Sequence, residues 1–177
     1  YSLYIEALIA AYQSTFNEAY LTNADELTQY VIDHYYDKNE GMFFYTNNEG
    51  EALIARKKEI FDNVIPSSNS IMANNLHLLG LLLDNSNYQD ISNKMLSQVA
   101  GIITSNPGYL SNWATLYRNK TEPTPEIVII GENAIALRNE LSQHFIPNKV
   151  VMGATQKSGL PLLKDKYAID GKTTIYV

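Results

Sequence analysis

Arg56-Lys-Lys-Glu-Ile-Phe-Asp-Asn-Val-Ile-Pro-Ser-Ser-Asn-Ser70 runs straight into Ile71-Met-Ala-Asn-Asn-Leu-His-Leu-Leu-Gly-Leu-Leu-Leu83. The second half carries apolar residues at Ile71, Met72, Leu76, Leu78, Leu79, Leu82 and Leu83, a face too broad for a surface helix. A helix over about 69–84 is therefore expected, buried on several sides. Its approach holds three cations, two carboxylates, a proline and a Ser/Asn cluster, and such a polar knot beside a buried helix needs a physical reason.

Helical periodicity extends outward from this point. Leu3, Ile5, Leu8, Ile9, Tyr12 and Phe16 predict a first helix over 2–16. A second is expected over about 24–36, with Asn23 and Glu26 as a capping box. Tyr88, Ile91, Met95, Val99, Ile102 and Ile103 predict a fourth over 88–104. Asn106-Pro107 then opens a fifth to about Asn119. A shift of 68 residues lays Leu3 on Ile71, Leu8 on Leu76, Tyr20 on Tyr88 and Val31 on Val99, which predicts tandem helical hairpins. Asn39-Glu-Gly41 and Asn47-Asn-Glu-Gly50 bracket Met42–Thr46, and together with Ala52–Arg56 they suggest a short β excursion near 42–56.

The character changes after Lys120. Thr121-Glu-Pro-Thr-Pro125 reads as a stiff linker, and Glu126-Ile-Val-Ile-Ile-Gly131 as the clearest strand. A helix at 133–145 and a strand at Lys149–Gly153 follow, long enough apart for a parallel βαβ unit. Residues 155–172 read as loop and Thr173–Val177 as a third strand. The expected fold is mainly α: hairpins over 1–120, then a small α/β extension over 121–177.

Composition excludes several function classes. The chain has 177 residues, 45% hydrophobic, with net charge -6 and no long basic run, so nucleic acid is not an expected partner. With no cysteine, thiol catalysis and disulfides within this segment are ruled out, and a reducing, cytoplasmic setting fits. Leu76–Leu83 is far shorter than the roughly 20 residues of a membrane span, and no signal peptide shows. Opening on Tyr1 inside a helical pattern, the chain reads as a fragment or processed product.

No cofactor or metal site is expected. His34, His77 and His144 lack ligand spacing with one another and suit packing or capping roles. Gly131 supplies one glycine where a dinucleotide fingerprint needs three, and Glu132 adds negative charge where a phosphate would bind. The 13 tyrosines, with Tyr35, Tyr36, Phe43, Phe44 and Tyr45 clustered, suit core packing or the stacking of sugar rings.

The polar knot is the candidate site. Glu59 and Asp62 stand three apart and would share a face of a helix, the minimum pair for glycosidic acid–base work. Arg56 and Lys58 would hold them ionised or clamp an anion, with Ser67, Asn69 and Trp113 as further ligand contacts. The alternative is structural: Asp62 and Asn69 bond an irregular backbone while Ser67 or Ser68 caps the following helix.

Glu51-Ala-Leu-Ile-x-Arg56, Lys58-Glu-Ile-Phe-Asp62 and Ile65-Pro-Ser-x-Asn-Ser70 resemble a known family. So do Glu126–Gly131, Phe145-Ile-Pro-Asn-Lys-Val-Val151 and Asp170-Gly-Lys-Thr-Thr-Ile-Tyr-Val177, in the same order over nearly the whole chain. The family is that of the spermatogenesis-associated thioredoxin-like proteins. The resemblance implies the C-terminal region of a protein with an N-terminal thioredoxin-like domain. It also implies part of an (α/α) toroid similar to six-hairpin glycosidases and N-acylglucosamine 2-epimerases. Asn63 and Ser68 depart from the family, which usually has glycines there. Two functions follow as expectations: a carbohydrate-binding or carbohydrate-active toroid, or a non-catalytic scaffold for the thioredoxin-like domain or a partner. Whether it is an enzyme stays open. Five helices cannot close a ring that needs about twelve, so self-association through uncovered apolar faces is also expected.

Overall fold

The computed structural model describes residues 1–49 and 56–177. The described chain is mainly α, with a small sheet late in the sequence. Helices α1 (Ser2–Thr15) and α2 (Glu18–Tyr35) pack as one hairpin. Helices α3 (Ser68–Leu82) and α4 (Ser86–Val99) pack as another, and α1 lies against α3. Leu76, Leu79 and Leu82 of α3 are 0% exposed. Each contributes roughly 1.5–3 kcal/mol by leaving water. Helix α5 (Ser111–Thr121) covers another side of α3, which is why that helix is apolar nearly all round.

Helix α2 begins earlier than the expected capping box at Asn23. Phe16 ends α1 in the left-handed region (φ 56°), and Asn17 Oδ1 then accepts from Ala19 N at 3.1 Å. That bond satisfies an otherwise orphan donor and starts the next helix at once. The residue one repeat later does the same work: Asn85 Oδ1 accepts from Tyr88 N at 3.3 Å and starts α4. Both hairpins thus turn on an asparagine at the same repeat position.

The expected start of the fifth helix at Pro107 is also corrected. Pro107–Tyr109 forms a single 3₁₀ turn, and Leu110 (φ −134°) breaks the chain before α5. At this break the Tyr109 carbonyl accepts from Asp62 N at 2.8 Å.

The β excursion differs in its pairing. Strand β1 (Tyr36–Asp37) pairs antiparallel with β2 (Met42–Phe43), closing on Gly41 at φ 70°, a conformation that suits glycine. Beyond it, Tyr45 N donates to Lys57 O at 2.8 Å. The expected partner stretch at Ala52–Arg56 lies, except for Arg56, outside the described residues.

After α5 come strand β3 (Glu126–Ile130), helix α6 (Ala134–Leu141), strand β4 (Val150–Ala154) and strand β5 (Thr174–Tyr176). The order is β4-β3-β5, with β3 parallel to β4 and antiparallel to β5. Alternation divides the sheet between two apolar clusters. Val128, Ile130, Val150 and Met152 join the core of the helical hairpins. Ile127, Ile129 and Val151 pack instead with Ala134 and with Phe16, the cap of α1. Gly153 makes room for that phenyl ring: a Cβ there would lie 2.4 Å from Phe16 and 2.5 Å from Ile129 O. Among the described residues no helix is long and apolar enough to cross a membrane.

Candidate functional site

The polar knot contains no helix between Arg56 and Pro66, so the expected shared face for Glu59 and Asp62 does not form. Glu59 is exposed, whereas Asp62 is 5% exposed. Asp62 Oδ1 accepts from Ser67 N at 3.0 Å and from Ser70 Oγ at 2.7 Å. Its Oδ2 accepts from Asn112 N at 3.0 Å. The carboxylate therefore sits at the first turns of both α3 and α5, helices that have no acidic residue of their own in those turns. Two helix N-termini present orphan donors and partial positive charge, and one buried anion answers both.

Protonation follows from this setting. Burial alone would raise the Asp62 pKa, but the bonds from Ser67, Ser70 and Asn112 outweigh it and hold the group below the ordinary carboxylate range. A buried carboxylate with its lone pairs engaged is a poor proton donor at neutral pH. The geometry gives Asp62 the work of a remote helix cap.

Asn69, Ser67 and Trp113 also face inward. Asn69 is 0% exposed and its amide bonds Phe43 N at 2.8 Å, Phe43 O at 2.9 Å and Glu59 O at 2.9 Å. Ser67 Oγ caps α3 by accepting from Ser70 N at 3.1 Å. Trp113 is 0% exposed and donates Nε1–H to Ile60 O at 2.8 Å, so its ring is core and offers no open face for stacking.

The cations find partners that the sequence reading did not name. Lys58 Nζ lies 2.5 Å from Asp37 Oδ2 and 2.5 Å from Glu40 Oε2, both in the β1–β2 turn. Burial tends to lower the Lys58 pKa, and the two carboxylates more than reverse this. Asp37 is lowered in turn, chiefly by its bond to Lys58. Arg56 donates to Thr46 O and stacks over Phe44, its guanidinium carbon 4.0 Å from the ring centroid, while Lys58 Nζ lies 4.3 Å from that centroid. The Asp37-Lys-Asn-Glu40 turn was the signal for these pairs, but only folding brings it to Lys58.

Beside this joint lies a groove of about 870 Å³. Tyr35, Phe44, Tyr45 and Phe61 form its aromatic walls, and Lys58 and Glu59 supply charge. Ser68 also lines it. Its Oγ is buried without a hydrogen-bond partner among the described residues. Of the sequence-predicted site residues, Lys58, Glu59 and Ser67 border the groove, whereas Arg56, Asp62, Asn69 and Trp113 are not among its lining. Among the described residues no group of three or more His, Asp or Glu is placed to hold a metal ion. Neither a family model nor a curated protein matches this chain.

Proposed function

We propose that the groove binds a carbohydrate or a chemically similar polyol, and that the hairpins form part of an (α/α) toroid. The supporting observation is the combination of aromatic walls with a charged edge. Sugar rings present C–H patches beside hydroxyls, which suits aromatic faces next to hydrogen-bonding groups. Binding is favoured over turnover, because Glu59 is the one carboxylate among the described residues that line the groove. Titration with a panel of neutral and amino sugars, followed by backbone NMR, tests this. Saturable shifts at Tyr45 and Phe61, lost in Tyr45→Ala, are the expected result, and unchanged spectra across the panel would reject the reading.

A second reading is a scaffold that positions a thioredoxin-like domain or a partner in a reducing, cytoplasmic setting. It draws on the rim of the joint, where Phe61, Val64 and Ile65 are 50%, 96% and 68% exposed. Self-association would use the same rim. Sedimentation across a concentration series distinguishes the two, since Val64→Ser, outside the groove's lining, should weaken any dimer and leave sugar binding intact.

A further inference from the structure

A second concavity lies away from the joint, at the carboxyl ends of β3 and β4. The strands stay paired through Ile130 and Ala154, and Gly131 N donates to Ala154 O at 3.0 Å as the last rung. Beyond it the chains part, and a crevice of about 520 Å³ opens between Gly131, Thr155 and the 164–168 loop. Crevices outside the carboxyl ends of parallel strands are recurrent ligand sites in α/β proteins.

Its charge opposes that of the chain. The whole protein carries -6, yet Lys157, Lys164 and Lys166 line this crevice against Asp165 alone. Lys157 and Lys164 form no ion pair among the described residues, so their charge is not neutralised internally. The enclosing loop is held in shape. Ser158 Oγ accepts from Leu160 N at 3.1 Å, and Lys166 Nζ donates to Leu162 O at 2.7 Å. Tyr176 Oη donates to Tyr167 O at 2.7 Å, fixing the far wall to β5. The Tyr167 side chain, 68% exposed, adds an aromatic surface at the mouth.

The first turn of α6 is not the anion-binding element. Thr173 Oγ1 already accepts from Asn133 N at 3.0 Å, and Gly131 is required by the close passage of Thr173, whose Cα would lie 2.7 Å from an added Cβ. The loop lysines carry the charge. Lysines that line one crevice suit a dianion, and Tyr167 in the same lining suits a planar or apolar group attached to it. We propose that this crevice binds a small organic phosphate monoester, its phosphate between Lys157 and Lys164 and its organic part against Tyr167.

The test uses the full chain at fixed ionic strength, with phenyl phosphate, inorganic phosphate and phenol as probes read by backbone NMR. Phenyl phosphate should shift residues 155–168 saturably by roughly 10 mM, inorganic phosphate should bind at the same residues more weakly, and phenol alone should do nothing. Lys157→Gln with Lys164→Gln should weaken phenyl phosphate at least about tenfold, whereas Lys38→Gln with Arg118→Gln, an equal loss of charge elsewhere, should leave it unchanged. An absent or non-saturable response overturns the proposal. So does one that survives the loop double variant, or one that the distant control weakens equally.

Discussion

The side-chain amide of Asn69 pairs with both main-chain groups of Phe43, accepting from its N–H at 2.8 Å and donating to its carbonyl at 2.9 Å. A peptide unit of a neighbouring strand would offer the same pair of groups. The first turn of α3 thus completes the edge of the β1–β2 hairpin. Its remaining amide hydrogen, on Glu59 O, ties the polar segment to the same point. One side chain gathers helix, hairpin and connecting segment.

Asn69→Asp should therefore be more damaging than its near-isosteric shape suggests. It replaces two donors with lone pairs facing the carbonyls of Phe43 and Glu59. Stability at pH 7 should fall by about 3 kcal/mol, the scale of buried groups left unmatched. Protonation restores one donor, so the gap to the parent should narrow as pH falls toward 5. Urea denaturation at both values measures it, and a gap independent of pH would contradict the pairing.

Asp62→Ala leaves Ser67 N and Asn112 N without their acceptor, and Ser70 Oγ with only Ser67 O to donate to. A loss of about 2–4 kcal/mol is expected, the scale for leaving two buried donors unmatched after a charged acceptor is removed. Asp62→Asn should lose less, because one oxygen still accepts. The folded pKa of Asp62 is depressed, so its contribution is complete above the ordinary value and disappears as pH falls through the folded one. Asp62→Asn should accordingly show a shallower loss of stability below about pH 4 than the parent.

His77 and Lys120 share one acceptor: Gln89 Oε1 lies 3.2 Å from His77 Nδ1 and 3.2 Å from Lys120 Nζ. Burial lowers Lys120 from 10.5 to about 8. His77 is lowered too, first by burial and then by the charge on Lys120. For a base with a depressed folded pKa, the unfolded chain binds more protons within the window between the two values. Stability should therefore rise with pH from about 8 toward 10.5 on account of Lys120. Lys120→Met should flatten that rise and move the His77 titration upward, as read by imidazole NMR. A fixed His77 pKa in the variant would separate the two groups.

Gly153→Ala places a methyl against Phe16 and against Ile129 O. Overpacking at such a point costs about 1–3 kcal/mol. Phe16→Leu should recover part of this loss in the double variant, because the ring is one of the two obstacles and the carbonyl is the other. Thermal denaturation of the four-member cycle reads the coupling, and strict additivity would place the strain elsewhere.

What could be read from sequence was whatever repeats within a few residues. The stripe from Ile71 to Leu83 and the run from Ile127 to Ile130 declare α3 and β3 because burial on several sides makes each a dense apolar stretch, long in the helix and short in the strand. The caps at Asn17 and Asn85 were not read; only the structure shows that the two stand at the same repeat position. That Asp62 bonds the backbone before α3 was one of the two readings, but its reach to Asn112, 50 residues away, was not legible because no local pattern announces it. Lys58 was marked as a cation of the site, but its carboxylates are 21 and 18 residues upstream. Trp113 read as a stacking surface because its type is amphipathic; only the position of Ile60 O showed that its N–H is used inside.

Phe16 ends one helix and fills the outer layer of a sheet whose strands begin more than a hundred residues later. The proline-rich stretch at 121–125 marks a change of style in the sequence, yet both faces of that sheet lean on residues from before it. A calorimeter should accordingly record a single endotherm for this chain. Drift at Phe16 should likewise be answered at Gly153, so that a substitution tolerated in one lineage of such chains is forbidden in another.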